Sequence, residues 1–162
     1  MALSSSGALT DLENASYRWL FQVRGQRDWD ERIVAITIDE TTLSDMGQYP
    51  LPRRVYAQLL ERLADAQPKG IGFNIFFIEP NPADSALADE IDAASNVGLA
   101  MGFDEQGRIL NPVEPLQSAA IATGHTLKTI RRDGLVHTLQ LEAANRPALG
   151  LALTETDNEA SY

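Results

Sequence analysis

Apolar positions along the chain follow two different periods. From Leu9 to Arg24, the residues Leu9, Leu12, Ala15, Tyr17, Trp19, Leu20 and Val23 recur as one broad helical stripe, and Gly25 ends it. After the charged connection "QRDWDER", the segment "RIVAITI" is almost wholly apolar and β-branched. That suits a strand buried on both faces, ending at Asp39 and Glu40. "GQYPLPRR" is a Gly/Pro turn that sets Pro52 near a first helical position. Val55, Tyr56, Leu59, Leu60 and Leu63 then return to helical spacing until Pro68. "KGIGFNIFF", Lys69 to Phe77, reads as a second buried strand. Strand, helix, strand in this order is a βαβ unit, with parallel strands and a right-handed crossover.

The second half continues the alternation. "EPNPADSALADEIDAA" is a loop running into a helix. Asn81 can cap it, Pro82 can take the first helical position and Asp84 can face the open amides. "NVGLAMGF", Asn96 to Phe103, is a third strand and "DEQG" a turn. Pro112 to Ala122 reads as a loop with a short helix. "GHTLKT" and "LVHTLQL" flank "IRRDG" as a hairpin with Gly134 at its turn. "PALGLAL" is a final short helix, and the polar "TETDNEASY" frays. The expected fold is α/β in a single domain, with a central, mostly parallel sheet, a βαβ unit, flanking helices and a C-terminal antiparallel hairpin.

Composition narrows the function. At 162 residues and 44% hydrophobic, the chain has the size and the apolar content of one folded domain. Its 13 basic and 23 acidic residues give a net charge of −10, which argues against a nucleic-acid partner and against charge-driven docking on anionic lipid. The absence of cysteine excludes disulfides, thiolate catalysis and Cys-ligated zinc. The longest apolar run, "GIGFNIFFI", falls well short of the roughly 20 residues of a membrane span. "MALSSSGALTDL" lacks the pattern of a signal peptide. The chain is therefore expected either to stay where it is made or to be a soluble piece of something longer.

Two sets of residues invite chemistry. Ligands of open α/β sheets lie beyond the carboxyl ends of the strands. Asp39 and Glu40 end the first expected strand. Asn74 and Glu79 lie late in and just past the second, and Asp84 opens the next helix. With Arg53 nearby, these six outline a crevice whose oxygens suit a divalent cation such as Mg²⁺ or Ca²⁺, or a small ligand. The plainer alternative is that the carboxylates cap turns and pair with arginines. His125 and His137, on the two expected hairpin strands, are pH-sensing candidates. There is no G-x-S-x-G elbow, and "GIGFN" lies inside a strand, so it is no phosphate loop.

The order of these pieces resembles the type-two CHASE domain, an extracytoplasmic sensor module of bacterial receptors. The resemblance rests on "YRWLFQVRG", "IVAITIDETTLSDMGQYPLPRRVYAQLLERL", "GIGFNIFFIEPNPADSALADEI", "NVGLAM", "RRDGLVHTLQL" and "PALGLAL". The Pro-x-Pro-Arg-x-x-Tyr-Ala core, Pro50 to Ala57, is its most specific piece. The chain departs from the family at Tyr17-Arg18, where Tyr-Asp is usual. It departs again at Asn74, where Asp is usual, and at His137, where the turn usually carries Arg.

The resemblance implies a sensor domain over residues 11–153, with an N-terminal extension over 1–10 and a flexible tail over 154–162. It implies a periplasmic domain without catalysis of its own, attached through flanking transmembrane helices absent from this chain and feeding a cytoplasmic cyclase or kinase. Because such outputs act as dimers, it implies a homodimer. The N-terminal helix, with Leu12, Tyr17, Trp19, Leu20 and Val23, is the expected contact. The alternatives are a structural spacer that sets dimer geometry and a metal-dependent hydrolase using the same carboxylates.

Overall fold

The structure, a computed structural model, describes residues 5–47, 49–130 and 134–159. The chain divides into two compact units, residues 1–41 and 42–162.

The first unit holds helix α1 (Ser5–Arg24). Gly25 closes it in the left-handed region, at φ +72°, and donates its amide to the Phe21 carbonyl. Residues 25–39 form neither helix nor strand. The Trp29 indole donates to the Ile33 carbonyl at 2.6 Å, and Arg32 pairs with Asp30. The expected first strand is therefore absent. Ile33, Val34 and Ile36 are exposed, Val34 at 81%. Their β-branched pattern favours an extended backbone, but a strand also needs a ladder partner, and this segment has none among the described residues. Asp39 accordingly does not end a strand.

Helix α2 (Glu40–Met46), not foreseen in the sequence, straddles the division between the units. The second unit then carries helix α3 (Arg53–Ala64), with Pro52 as its N-cap. Strand β1 (Ile71–Phe73) is shorter than expected and leaves Asn74 to Phe77 in a loop. Helix α4 (Asp84–Ala94), strand β2 (Val97–Phe103), strand β3 (Ile109–Leu110), helix α5 (Glu114–Ala119) and strand β4 (Ala122–His125) follow. β1 and β4 both pair parallel with β2, so β1–α4–β2 and β2–α5–β4 are two βαβ units. β3 folds back antiparallel on the end of β2. The α/β class and the mostly parallel sheet are as expected, although the unit built from 33–38 is replaced by these two.

The continuous apolar run of β2 is buried from Val97 to Met101, as befits a central parallel strand. Alternation along β1 divides the faces. Phe73 points toward α3 and meets Tyr56 edge-on at 6.0 Å, while Gly72 faces the other way. Tyr56, Phe73 and Phe77 form an aromatic cluster. The Tyr56 hydroxyl accepts the Leu51 amide at 3.1 Å, which fixes the Gly/Pro turn, and burial pushes the Tyr56 phenol up.

Beyond β4, strands β5 (Lys128–Ile130) and β6 (Val136–Leu139) make the expected C-terminal hairpin. "GHTLKT" is split, since its first half belongs to the main sheet. Residues 131–133 of the expected turn lie outside the described residues. A second small ladder joins β7 (Glu142–Ala143) to β8 (Arg146–Pro147). Helix α6 (Leu149–Glu159) runs on into the segment expected to fray. It packs on all three parallel strands through Leu149 and Leu153, over a floor of Gly72, Gly98 and Gly124.

Candidate functional site

The best-organised polar cluster joins the start of α3 to the start of α4. Arg53 and Asp84 are both buried, with side-chain exposures of 6% and 8%, and Arg53 Nε donates to Asp84 Oδ1 at 2.7 Å. Arg53 Nη2 donates to the Glu79 carbonyl at 3.0 Å, and the guanidinium lies 4.6 Å from the centre of the Phe77 ring. The other carboxylate oxygen of Asp84 accepts the Asn81 amide at 2.7 Å. Two charges taken out of water at this depth hold only if each keeps its hydrogen bonds, and here both carboxylate oxygens are occupied.

The local sequence explains the geometry. Pro52 cannot donate a backbone hydrogen bond and ends the turn, which sets Arg53 at the head of α3. Asn81 does not cap α4 as expected. Its Oδ1 accepts the Ala83 amide at 3.0 Å, and Ala83 is the N-cap residue. Asp84 reaches back to the Asn81 amide and, at the first turn, complements the helix dipole.

Of the six residues expected to share a crevice, Arg53, Glu79 and Asp84 come together, with Glu79 contributing its carbonyl and not its carboxylate. Asn74 is exposed on the loop after β1. Asp39 and Glu40 belong to the other unit, where both are exposed and Glu40 opens α2. The cluster works as a clasp between two helix starts and leaves Asp84 no free oxygen for a ligand. Among the described residues no group of three His, Asp or Glu is placed to hold a metal ion. Sequence reasoning missed Phe77 and the Asn81 amide as partners. Phe77 read as a strand residue, and backbone partners leave no mark in a residue pattern.

The histidines do not share a hairpin. His125 ends β4 in the main sheet, and His137 lies on β6 in the separate ladder. A groove of about 280 Å³ lies at the opposite end of the strands from the expected crevice. Leu60, Leu63, Pro68, Ile71 and Ala93 line it, with Asn96, whose Oδ1 is buried without a partner among the described residues.

No helix of the described residues is long and apolar enough to cross a membrane. No curated protein and no solved structure matches the chain. The CHASE2 domain family matches residues 1–161, essentially its whole length. Members of that family are extracytoplasmic sensor domains, not catalytic ones, and this chain belongs to it.

Proposed function

We propose that the chain is the input domain of a transmembrane signalling receptor. It sits in the periplasm between membrane helices that lie outside this chain, and it passes its conformational state to a cytoplasmic cyclase or kinase. The observation that carries the reading is the seating of α6. This helix leads toward the end of the chain, and it rests on β1, β2 and β4 together. A stimulus that shifts the sheet between two arrangements would also shift the helix seated on it. The stimulus is a soluble condition, such as a small ligand or an ion.

Self-association completes the reading. Leu12, Tyr17, Trp19, Leu20 and Val23 are exposed on α1, Trp19 at 63%, and they supply the face for a homodimer. Trp19→Ala or Leu20→Ala is expected to weaken association, and unchanged association in both would count against this contact.

A spacer that only sets dimer geometry is favoured by one observation, the saturation of the Arg53–Asp84 clasp. The two readings differ in one property. The melting temperature or self-association of a sensor changes with some soluble condition, through preferential binding to one state. Both stay constant in a spacer across pH, salts and small-molecule panels. The clasped Asp84 carboxylate offers no support to hydrolysis.

A further inference from the structure

The groove at the amino end of β1 lies across one strand from α6. A Cβ on Gly70 or Gly72 would point at Leu153 of α6, 4.0 and 3.3 Å away. Ile71 stands between these glycines, so strand alternation turns its side chain to the opposite face, where it lines the groove. The walls are the last turns of α3 and α4, with Leu63 and Ala64 on one side and Ala93 and Ala94 on the other.

These walls bring two helix C-termini to one place. A helix ends in carbonyls without intrahelical partners and carries the negative pole of its dipole there. On α4 the Ser95 amide donates to the Ile91 carbonyl, and Ser95 turns the chain away at φ +55°. The Ala93 and Ala94 carbonyls accept no hydrogen bond among the described residues. α4 carries Asp84, Asp89, Glu90 and Asp92 and no basic residue. Around the end of α3, Glu61 and Asp65 balance Arg62 and Lys69, all four of them exposed. The polar rim of the groove is therefore negative.

Asn96 adds a second acceptor. Its Nδ2 donates to the Pro68 carbonyl at 2.5 Å, which fixes the orientation of the amide and leaves Oδ1 as the unused end. Oδ1 is buried without a partner among the described residues. A buried acceptor without a donor is unfavourable, and a donor brought into the groove would relieve it. Oδ1 is closed to solvent, so the helix carbonyls are the first contact and Asn96 follows only as its side chain yields.

We propose that this groove binds a small organic cation, an ammonium group on a short apolar body. The body lies against Leu60, Leu63, Pro68 and Ile71, and the ammonium meets the Ala93 and Ala94 carbonyls. An anion would meet the same dipole ends with the wrong sign, and a wholly apolar molecule would bring them no donor. That occupancy is the stimulus rests on the input-domain reading above, whereas the site itself does not. In that reading the ligand bears on Ile71, and Leu153 of α6 rests on the other face of the same strand.

The test is NMR titration of the whole chain at neutral pH with phenethylammonium, with phenethyl alcohol and hydrocinnamate as neutral and anionic counterparts of similar shape. The methyl groups of Leu63, Ile71 and Ala93 report occupancy, and Leu139, an exposed leucine on β6, is the reference for non-specific apolar contact. Saturable shifts at the groove are expected with the amine, with affinity about tenfold weaker or more for the alcohol and weakest for hydrocinnamate. Ala64→Trp and Ala93→Trp fill the groove from opposite walls at exposed positions, and each should abolish the shifts. The site is overturned if no saturable shift appears at the groove, if the alcohol binds as tightly as the amine, or if the shifts survive both variants. Should a variant not fold, the order of the three wild-type titrations decides. Failure of the site would leave the receptor reading standing with another stimulus. Binding in a protein without flanking membrane spans would keep the site and remove that reading.

Discussion

A Cβ placed on Gly124 would stand 2.5 Å from the Cα of Leu149 and 2.6 Å from its amide nitrogen. The obstacle is helix backbone, which cannot rotate aside, so β4 and the first turn of α6 approach only because position 124 has no side chain. At Gly98 the nearest atoms are Leu153 Cδ2 at 2.8 Å and Cγ at 2.9 Å, side-chain atoms that can give way more easily than backbone.

The two glycines should therefore respond differently. Gly124→Ala is expected to lower stability by about 3 kcal/mol or more and to free α6, while Gly98→Ala costs about 1–2 kcal/mol. Denaturant unfolding of both variants checks the order. Equal losses would mean that α6 does not rest on the backbone of β4.

The clasp between α3 and α4 should behave as a buried ion pair. Arg53→Ala or Asp84→Ala leaves one uncompensated charge and is expected to cost about 3–5 kcal/mol. The double replacement Arg53→Met with Asp84→Leu should recover most of that loss, because neither charge is then stranded. A double variant as unstable as the singles would show that the hydrogen bonds to Glu79 and Asn81 matter more than the pairing.

Divalent cations should not stabilise the protein through this cluster. Both Asp84 oxygens are engaged, and a cation would have to expel Arg53. Millimolar Ca²⁺ or Mg²⁺ is expected to leave the melting temperature unchanged. A rise that disappears in Asp84→Asn would restore the cation site.

Acid should weaken the β2–β3 turn. The Arg108 amide, with the Arg108 side chain and the Gln106 amide, holds the Asp104 carboxyl below its ordinary 3.8. A lowered folded value means the contribution is complete above the unfolded value and is lost as pH falls through the folded one. Asp104→Asn is expected to flatten the stability curve below about pH 4 and to change little at pH 7. An unaltered acid limb in that variant would show that the turn carries none of the pH dependence.

Much of this arrangement was legible in the sequence. The apolar run at Val97–Met101 marked the central strand, and the spacing of Tyr56 and Leu60 marked the face that α3 buries. The segment Ile33–Ile38 misled, because its composition describes an extended chain but says nothing about a partner strand. The candidate site was legible in part. Arg53 and Asp84 were named, and their pairing fits the plainer alternative of arginines satisfying carboxylates. Asn74 and Glu79 were drawn in by an assumed strand reaching Phe77, whereas β1 ends at Phe73. The separation of His125 from His137 was hidden because one short stretch, Gly124 to Thr129, serves two different sheets.

The central claim is that this domain works outside the membrane as part of a receptor. Reading the parent open frame on both sides of these residues tests it most directly. The account predicts an apolar span of about 20 residues upstream of α1 and further spans after α6, leading to a cyclase or kinase. A frame that starts at Met1 and stops at Tyr162 would contradict it.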